Sequence, residues 1–373
     1  MSTLQNRIKC IDGWRAIAAI GVLFTHVLGK LNHPTLIIFS IDFFKVLNIW
    51  GSGVHLFFVI SGFCFYLVMN KNNDYTLGGA LKFWKKRWLR IAPAYYLACL
   101  VYGLITYGHF SKELVFSLFA NFIFLQTYIP ATEIAALFWS LSVEWIFYLF
   151  LPFLFLLIRK FNIVLIISTT ILLGLFLNFL HFLGFLYPEN FSWYYTFFAN
   201  FEHFGWGILL GYVYAKNYLV GSFLSGVKGF WFGLIVAYIG KICFYSNFLK
   251  NTGSLSFLFE SIGPLVMTLG FSIMILSSLR QQLINKIIGN HLLAFIGRIS
   301  YSFYLWHALI IQFSFQYFEK FISYTPLGVL FLFVICIAFI IPISFISYIL
   351  FESFYFKLKK NNQIIPVYIP VNN

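Results

Sequence analysis

Long apolar runs alternate with short polar breaks along the whole chain. Runs near the roughly 20 residues that cross a hydrocarbon core recur at about 11–29, 50–69, 88–108, 138–158, 163–183, 194–214, 228–247, 257–279, 293–317 and 326–350. The pattern predicts an all-α polytopic membrane protein with about ten transmembrane helices. One further stretch, Glu113 to Tyr128, is apolar but short and has polar flanks, and it reads as an interfacial or re-entrant helix. No polar block long enough for a soluble domain separates the runs. A single membrane domain is therefore expected over 11–355, between an N-terminal segment 1–10 and a C-terminal tail 356–373.

Basic residues orient this set. With the N-terminus inside, the outer segments keep only Lys30, Lys45, Lys112, Lys241, Lys250 and Lys320 of the 25 Lys and Arg residues. That asymmetry is expected of a protein whose two termini are both cytoplasmic. If 113–128 crossed as well, the basic pair Arg159 and Lys160 would fall outside. Composition agrees with the pattern, because 61% hydrophobic and 10% charged residues describe a chain solvated mostly by lipid. The net charge of +14 then follows from inside-positive loops and contact with anionic head groups. Spread over short loops, with no reading helix or RNA-binding motif, it argues against a nucleic-acid partner. The five cysteines are scattered without metal-type spacing, so neither a disulfide nor a metal site is expected. The first apolar helix is interrupted by Asp12 and Arg15 and precedes no small-residue cleavage site, so it reads as retained rather than as a signal peptide.

Residues 11–27, IDGWRAIAAIGVLFTHV, hold the first candidate chemistry. Each ionisable side chain at the bilayer centre costs on the order of 2.5 kcal/mol or more, so Asp12, Arg15 and His26 need a reason to be there. Arg15 and His26 are separated by three helical turns plus about 20° and project from one face, about 16 Å apart along the axis. They can line one groove without touching. Asp12 and Arg15, at i and i+3, can pair. Snorkelling of Arg15 to the inner head groups and an interhelical hydrogen bond from His26 are the plain structural alternatives.

Three further segments carry polar groups into the membrane. ALKFWKKRWLRIAPAYYL reads as a loop and helix start in which Lys85, Lys86, Arg87 and Arg90 crowd the inner face. Arg87 and Arg90 share a helical side and offer donor forks suited to phosphate; an interfacial belt with Trp84 and Trp88 is the alternative. FWSLSVEWIFYLFLP enters from outside and buries Glu144 beside Trp139 and Ser142. At a depth like that of His26, Glu144 could orient its imidazole and raise its basicity. FIGRISYSFYLWHAL starts inside at Arg298 and carries Ser300, Tyr301, Ser302, Tyr304 and His307 into a span, as interhelical glue or as cavity residues. Asp12, Trp139, Ser142, Ser300, Tyr301 and His307 are the substrate-pocket candidates.

Taken in order, DGWRAIAAIGVLFTH with its Arg-x10-His spacing, GVHLFFVISGF, RWLRIAPAYYL, WSLSVEWIFYLFLP and GRISYSFYLWH resemble the membrane acyltransferase 3 family over roughly residues 10–355. These are integral-membrane O-acyltransferases that decorate cell-envelope sugars. The resemblance implies a ten-helix core in the bacterial inner membrane. It takes an acyl group, usually acetyl from cytoplasmic acetyl-CoA, to a hydroxyl of a carbohydrate at the outer face. It implies that Arg15 and His26 are the essential pair, that Arg87 and Arg90, with Lys86 beside them, serve the acyl-CoA donor, and that Glu144 is the buried carboxylate. The sequence departs from many relatives at His55, where an acidic residue is common, and at Trp145, where a second Glu is. The short tail after Lys359 and Lys360 reads as a stand-alone form without an esterase-like domain.

CoA carries its phosphates at one end and its thioester at the end of a long arm. If the Arg87/Arg90 region holds the phosphates, the groove marked by Arg15 guides the arm toward His26. His26 is then either a general base on the acceptor hydroxyl, the preferred role, or a nucleophile forming an acyl-imidazole. A secondary transporter would show repeated halves with broken helices, and none is apparent. A non-catalytic polysaccharide-assembly protein would leave the Arg-x10-His and Arg-x-x-Arg arrangement unexplained.

Overall fold

The computed structural model describes residues 8–70, 76–129, 131–182, 185, 195–245 and 255–353. The terminal segments expected to be cytoplasmic therefore lie largely outside the described residues. What is described is almost wholly helical. Eight helices are long and apolar enough to cross a membrane, and a bent helix pair brings the number to nine among the described residues. The chain is an all-α, multi-pass membrane protein.

The first helix, α1 (Lys9–Lys30), is followed by a two-stranded hairpin, β1 (Ile37–Ile38) and β2 (Ile41–Asp42), by the short α2 (Phe43–Leu47) and by α3 (Gly53–Met69). Next come α4 (Leu77–Tyr107), α5 (Lys112–Phe122), α6 (Trp139–Lys160) and α7 (Ile163–Phe182). The second half holds α8 (Phe201–Ala215), α9 (Val227–Tyr245), α10 (Leu255–Arg280), α11 (Gln282–Ile288), α12 (His291–Arg298), α13 (Ser300–Phe318) and α14 (Pro326–Ser347), which runs into a π-helical turn, Tyr348–Glu352.

Several expectations are corrected. The basic stretch around Lys85 to Arg90 is not a loop, because α4 is continuous over 31 residues, about 46 Å, longer than the hydrocarbon core. Thr76 caps its start by accepting from the Gly79 N–H (3.2 Å), so the basic turns extend the helix beyond the apolar layer. The run at 194–214 yields a helix of only 15 residues, α8, about 22 Å long. The run at 293–317 is not one straight helix, because α12 and α13 meet at a 75° bend. The reason lies at Gly297, where a Cβ would come within 1.8 Å of the Asp12 carbonyl oxygen. The missing side chain lets α12 lie directly on the backbone of α1, and the chain turns at Ile299 to enter the bundle. The short helix read at 113–128 is α5, 11 residues long and about 16 Å, too short to cross.

Burial sorts the helices. The apolar windows of α1 and of the α2–α3 segment are each 72% buried, against 17% for α7 and 22% for α9. The first two form the centre and the others face lipid. Without a hydrophobic force between helices in lipid, close approach depends on small residues. Gly62 of α3 and Gly207 of α8 supply it: a Cβ on Gly207 would lie 2.1 Å from the Val59 carbonyl oxygen, and one on Gly62 2.3 Å from that of Phe204. A polar tie fixes α1 to α10, where the buried Trp14 Nε1–H donates to Ser278 Oγ at 2.8 Å.

Candidate active site

Three arginines on three different helices face one chamber. Arg15 comes from α1, Arg90 from α4 and Arg298 from the end of α12, and they share the cavity with Glu144 of α6. The cavity measures about 680 Å³ with its mouth included. It reaches past Tyr301 to Val54, Ser140 and Tyr304, residues at the start of α3 and α6 and one turn into α13. Its walls thus run from the basic end of the bundle toward the opposite end. A polar chamber explains the charges on these helices, because guanidinium and carboxylate groups in a membrane are tolerated where they face a cavity or one another.

Hydrogen bonds hold the walls. Glu144 Oε1 accepts from Ser61 Oγ of α3 at 3.0 Å and from the Tyr148 hydroxyl one turn along its own helix. The Tyr301 hydroxyl donates to the Ile91 carbonyl at 2.8 Å, tying α13 to α4 beside Arg90. The Tyr304 hydroxyl donates to the Leu137 carbonyl and shares a 2.8 Å hydrogen bond with Ser140. Aromatic and serine positions that read in sequence as interhelical glue are therefore glue and chamber wall at once.

The remaining expected residues divide between this chamber and other places. Ser300 and Tyr301 line it; Asp12, Arg87, Lys86, Trp139 and Ser142 do not. Arg87 is three residues from Arg90, about 60° around the helix, and its guanidinium packs over the rings of Tyr148 (5.1 Å), Phe83 (5.3 Å) and Phe65 (5.9 Å). The aromatic wall of α3 and α6 takes it out of the chamber, and Arg298 supplies the third guanidinium instead. Lys86 is exposed on the outside of α4. Trp139 stacks on Tyr195 at 5.0 Å and meets Phe58 edge-on. Ser142 is fully buried and bonds Thr127 and the Phe124 carbonyl, anchoring the turns after α5. Asp12 is 5% exposed beneath Gly297.

His26 stands four residues before the end of α1 and is exposed. Its neighbour is not Glu144, as the sequence suggested, but His307 of α13, whose ring centroid is 5.1 Å away. Glu144 bonds Ser61 and Tyr148 through Oε1, and α13 brings His307 to the place expected for it beside His26. His307 is 1% exposed, and its Nδ1 lies 2.6 Å from the Tyr304 carbonyl oxygen. A carbonyl can only accept, so Nδ1 carries the proton and Nε2 is the bare nitrogen. Tyr304 belongs to both features: its hydroxyl closes the chamber wall, and its ring lies 5.3 Å from that of His307.

A second pair of imidazoles escaped the sequence reading. His55 of α3 and His203 of α8 meet edge to face at 4.6 Å, both buried. His203 Nδ1 lies 3.3 Å from Thr268 Oγ1, and Lys241 Nζ donates to Ser52 Oγ at 2.8 Å nearby in sequence to His55. Glu352 was also missed. It is buried in the π-helical turn and accepts from Ser302 Oγ at 2.7 Å. Only Arg298 had a usable signal, as the charge that opens GRISYSFYLWH. Among the described residues no three His, Cys, Asp or Glu side chains converge to hold a metal ion.

This bundle, with a charged chamber whose Tyr304 wall packs against His307, the ring neighbour of His26, has counterparts in known sequences. A family model described as an acyltransferase domain matches residues 8–348. The chain belongs to the membrane acyltransferase 3 family. It is similar to a candidate acetyltransferase, ORF330, of Acidianus two-tailed virus, with 28% identity over 309 residues, 79% of this chain and 81% of the relative. It is also similar to the O-acetyltransferase OatA of Staphylococcus aureus strain NCTC 8325, with 25% identity over 344 residues, 83% of this chain and 51% of OatA. The chain thus spans about half the length of OatA. No solved structure matches it.

Proposed function

We propose that this acyltransferase moves an acetyl group from cytoplasmic acetyl-CoA to a hydroxyl of a cell-envelope carbohydrate on the other side of the bacterial inner membrane. The observation that supports the reading is the chamber itself: Arg15, Arg90 and Arg298 converge in a cavity that extends to Tyr304, whose ring packs on His307, which in turn meets His26. In this reading the basic end of the bundle faces the cytoplasm, which the distribution of Lys and Arg supports. The guanidinium groups bind the phosphates of CoA through charge-assisted hydrogen bonds. The pantetheine arm lies along the chamber between Glu144 and Tyr301 and brings the thioester toward Tyr304.

His26, exposed at the other end of α1, receives the acceptor. Its imidazole takes the proton of the acceptor hydroxyl as the oxygen attacks the thioester carbonyl. The carbon–sulfur bond breaks, and the CoA thiolate leaves and recovers that proton from the imidazole. Glu144 keeps the chamber polar, held through Oε1 by Ser61 and Tyr148, and leaves the orientation of His26 to its ring neighbour His307.

The test is thiol release from acetyl-CoA by protein in proteoliposomes, with tri-N-acetylchitotriose in the outer medium and mass spectrometry of the oligosaccharide. The expected result is acetylated sugar and free thiol in equal amounts, both lost in His26→Ala. Undiminished turnover by that variant removes His26 from the mechanism. Label retained on His26 after incubation with labelled acetyl-CoA alone replaces the base with a nucleophile.

A further inference from the structure

His307 has one nitrogen committed and one unused. Its Nδ1–H is fixed on the Tyr304 carbonyl, while Nε2 is shielded from solvent and has no hydrogen-bond partner among the described residues. Buried polar atoms are nearly always satisfied, and an orphan in a packed helix bundle calls for an explanation. The histidine ring of α1 stands 5.1 Å away by centroid. His26 is exposed and His307 is sealed behind it. One ring is thus open at the surface of the bundle, and the other lies enclosed between it and Tyr304.

We propose that His307 is the positioning partner of His26: with the His26 ring turned so that its N–H reaches the unpaired Nε2 of His307, that contact holds the His26 tautomer and takes its second proton during acyl transfer. The inference rests on the acyl-transfer reading above and deepens it. As one nitrogen of His26 removes the proton of the acceptor hydroxyl, the N–H on the other nitrogen passes its proton to His307 Nε2. His26 stays neutral and His307 becomes the imidazolium, with one N–H on the Tyr304 carbonyl and the other on His26. When the carbon–sulfur bond has broken, the proton returns through His26 to the departing thiolate, so the pair is regenerated with no net charge change. A carboxylate in this place would add a full negative charge to the membrane interior. A second imidazole orients His26 once the rings engage, with both rings neutral in the resting protein. Tyr304 couples the pair to the donor chamber, because the residue whose carbonyl fixes the His307 tautomer also forms the chamber wall.

Two variants separate this role from packing. His307→Asn keeps a donor near the Tyr304 carbonyl but leaves nothing at the Nε2 position, and His307→Gln places an amide there that can hydrogen-bond but cannot take a proton. With acetyl-CoA and tri-N-acetylchitotriose in proteoliposomes, kcat is expected to fall roughly 100-fold in His307→Asn, within the usual range for acid–base groups. The KM for acetyl-CoA stays within about threefold, and His307→Gln recovers part of kcat. The double variant His26→Ala/His307→Asn is expected to be no slower than His26→Ala, since residues that act as a unit are not additive. Size-exclusion profiles in detergent check that each variant folds. A His307→Asn protein with wild-type kcat, or one altered only in KM, or a double variant slower by the product of the single effects, overturns the proposal. If His26→Ala is dead while His307→Asn is fully active, this inference fails alone. If wild type releases no thiol from acetyl-CoA, the acyl-CoA reading fails and takes this inference with it.

Discussion

Two pairs of histidines meet in this bundle at similar ring distances, 5.1 Å for His26 with His307 and 4.6 Å for His55 with His203, yet they differ in what surrounds them. In the second pair both rings are buried, at 3% and 1% exposure. His203 is tied to Thr268, and the cluster links α3 and α8 where Gly62 and Gly207 already bring the backbones together. In the first pair one ring is exposed and the other keeps a bare nitrogen. Polar groups inside a membrane serve either to join helices or to do chemistry. Exposure of one ring, rather than residue type or spacing, separates the two pairs here.

Substitutions can break that comparison. The largest effect is expected from His26→Ala, a loss of kcat/KM of about 10³-fold or more with an unchanged melting temperature, because an exposed ring leaves no cavity. Thiol release and a thermal melt measured on the same preparation check it, and a lowered melt with intact turnover would reverse the roles of the two pairs. Next comes Arg298→Ala, which removes one charge-assisted contact worth about 1.5–3 kcal/mol. The expected consequence is a KM for acetyl-CoA raised roughly 10- to 100-fold with kcat little changed, read from initial rates.

His203→Ala should act on the other property. Losing a buried ring and its Thr268 hydrogen bond costs stability by about 1–3 kcal/mol, seen as a lower melting temperature, while the folded fraction keeps kcat within about threefold. A collapse of kcat without a change in the melt would make the second pair catalytic as well. Smallest is Arg87→Ala, where the lost contacts with Phe65, Phe83 and Tyr148 cost about 0.5–2 kcal/mol. Its donor KM should stay near wild type, in contrast to Arg298→Ala, and a large rise in KM would return Arg87 to the donor site.

The chain announces its solvent and its helices because lipid imposes a simple rule: about 20 apolar residues per crossing. The runs at 11–29 and 326–350 therefore lie close to α1 and α14. The rule says less where a helix need not be straight or span alone. Gly297 looks like any membrane glycine until the Asp12 carbonyl is found beneath it, and so the 75° bend at Ile299 was not legible. In the same way Arg87 and Arg90 carry equal weight in an Arg-x-x-Arg motif. Which of them faces the chamber depends on the rings that α3 and α6 place beside Arg87.

By itself the sequence determined the class of solvent, the number of apolar runs to within the short α8 and the bent α12–α13 pair, and the helices that bear charge. It also marked Arg15, His26, Arg90 and Glu144 as groups needing a polar setting, since composition and helical period are local properties. Partnership was decided only in three dimensions. Glu144 turned to Ser61 and Tyr148, Arg298 joined the chamber, and His307 came to stand against His26. The physical reason is that lipid gives helices no preferred neighbour by hydrophobicity. Contacts such as Gly297 on Asp12 and Gly62 against α8 set which faces meet, and they join residues far apart in the chain whose complementarity no local pattern records.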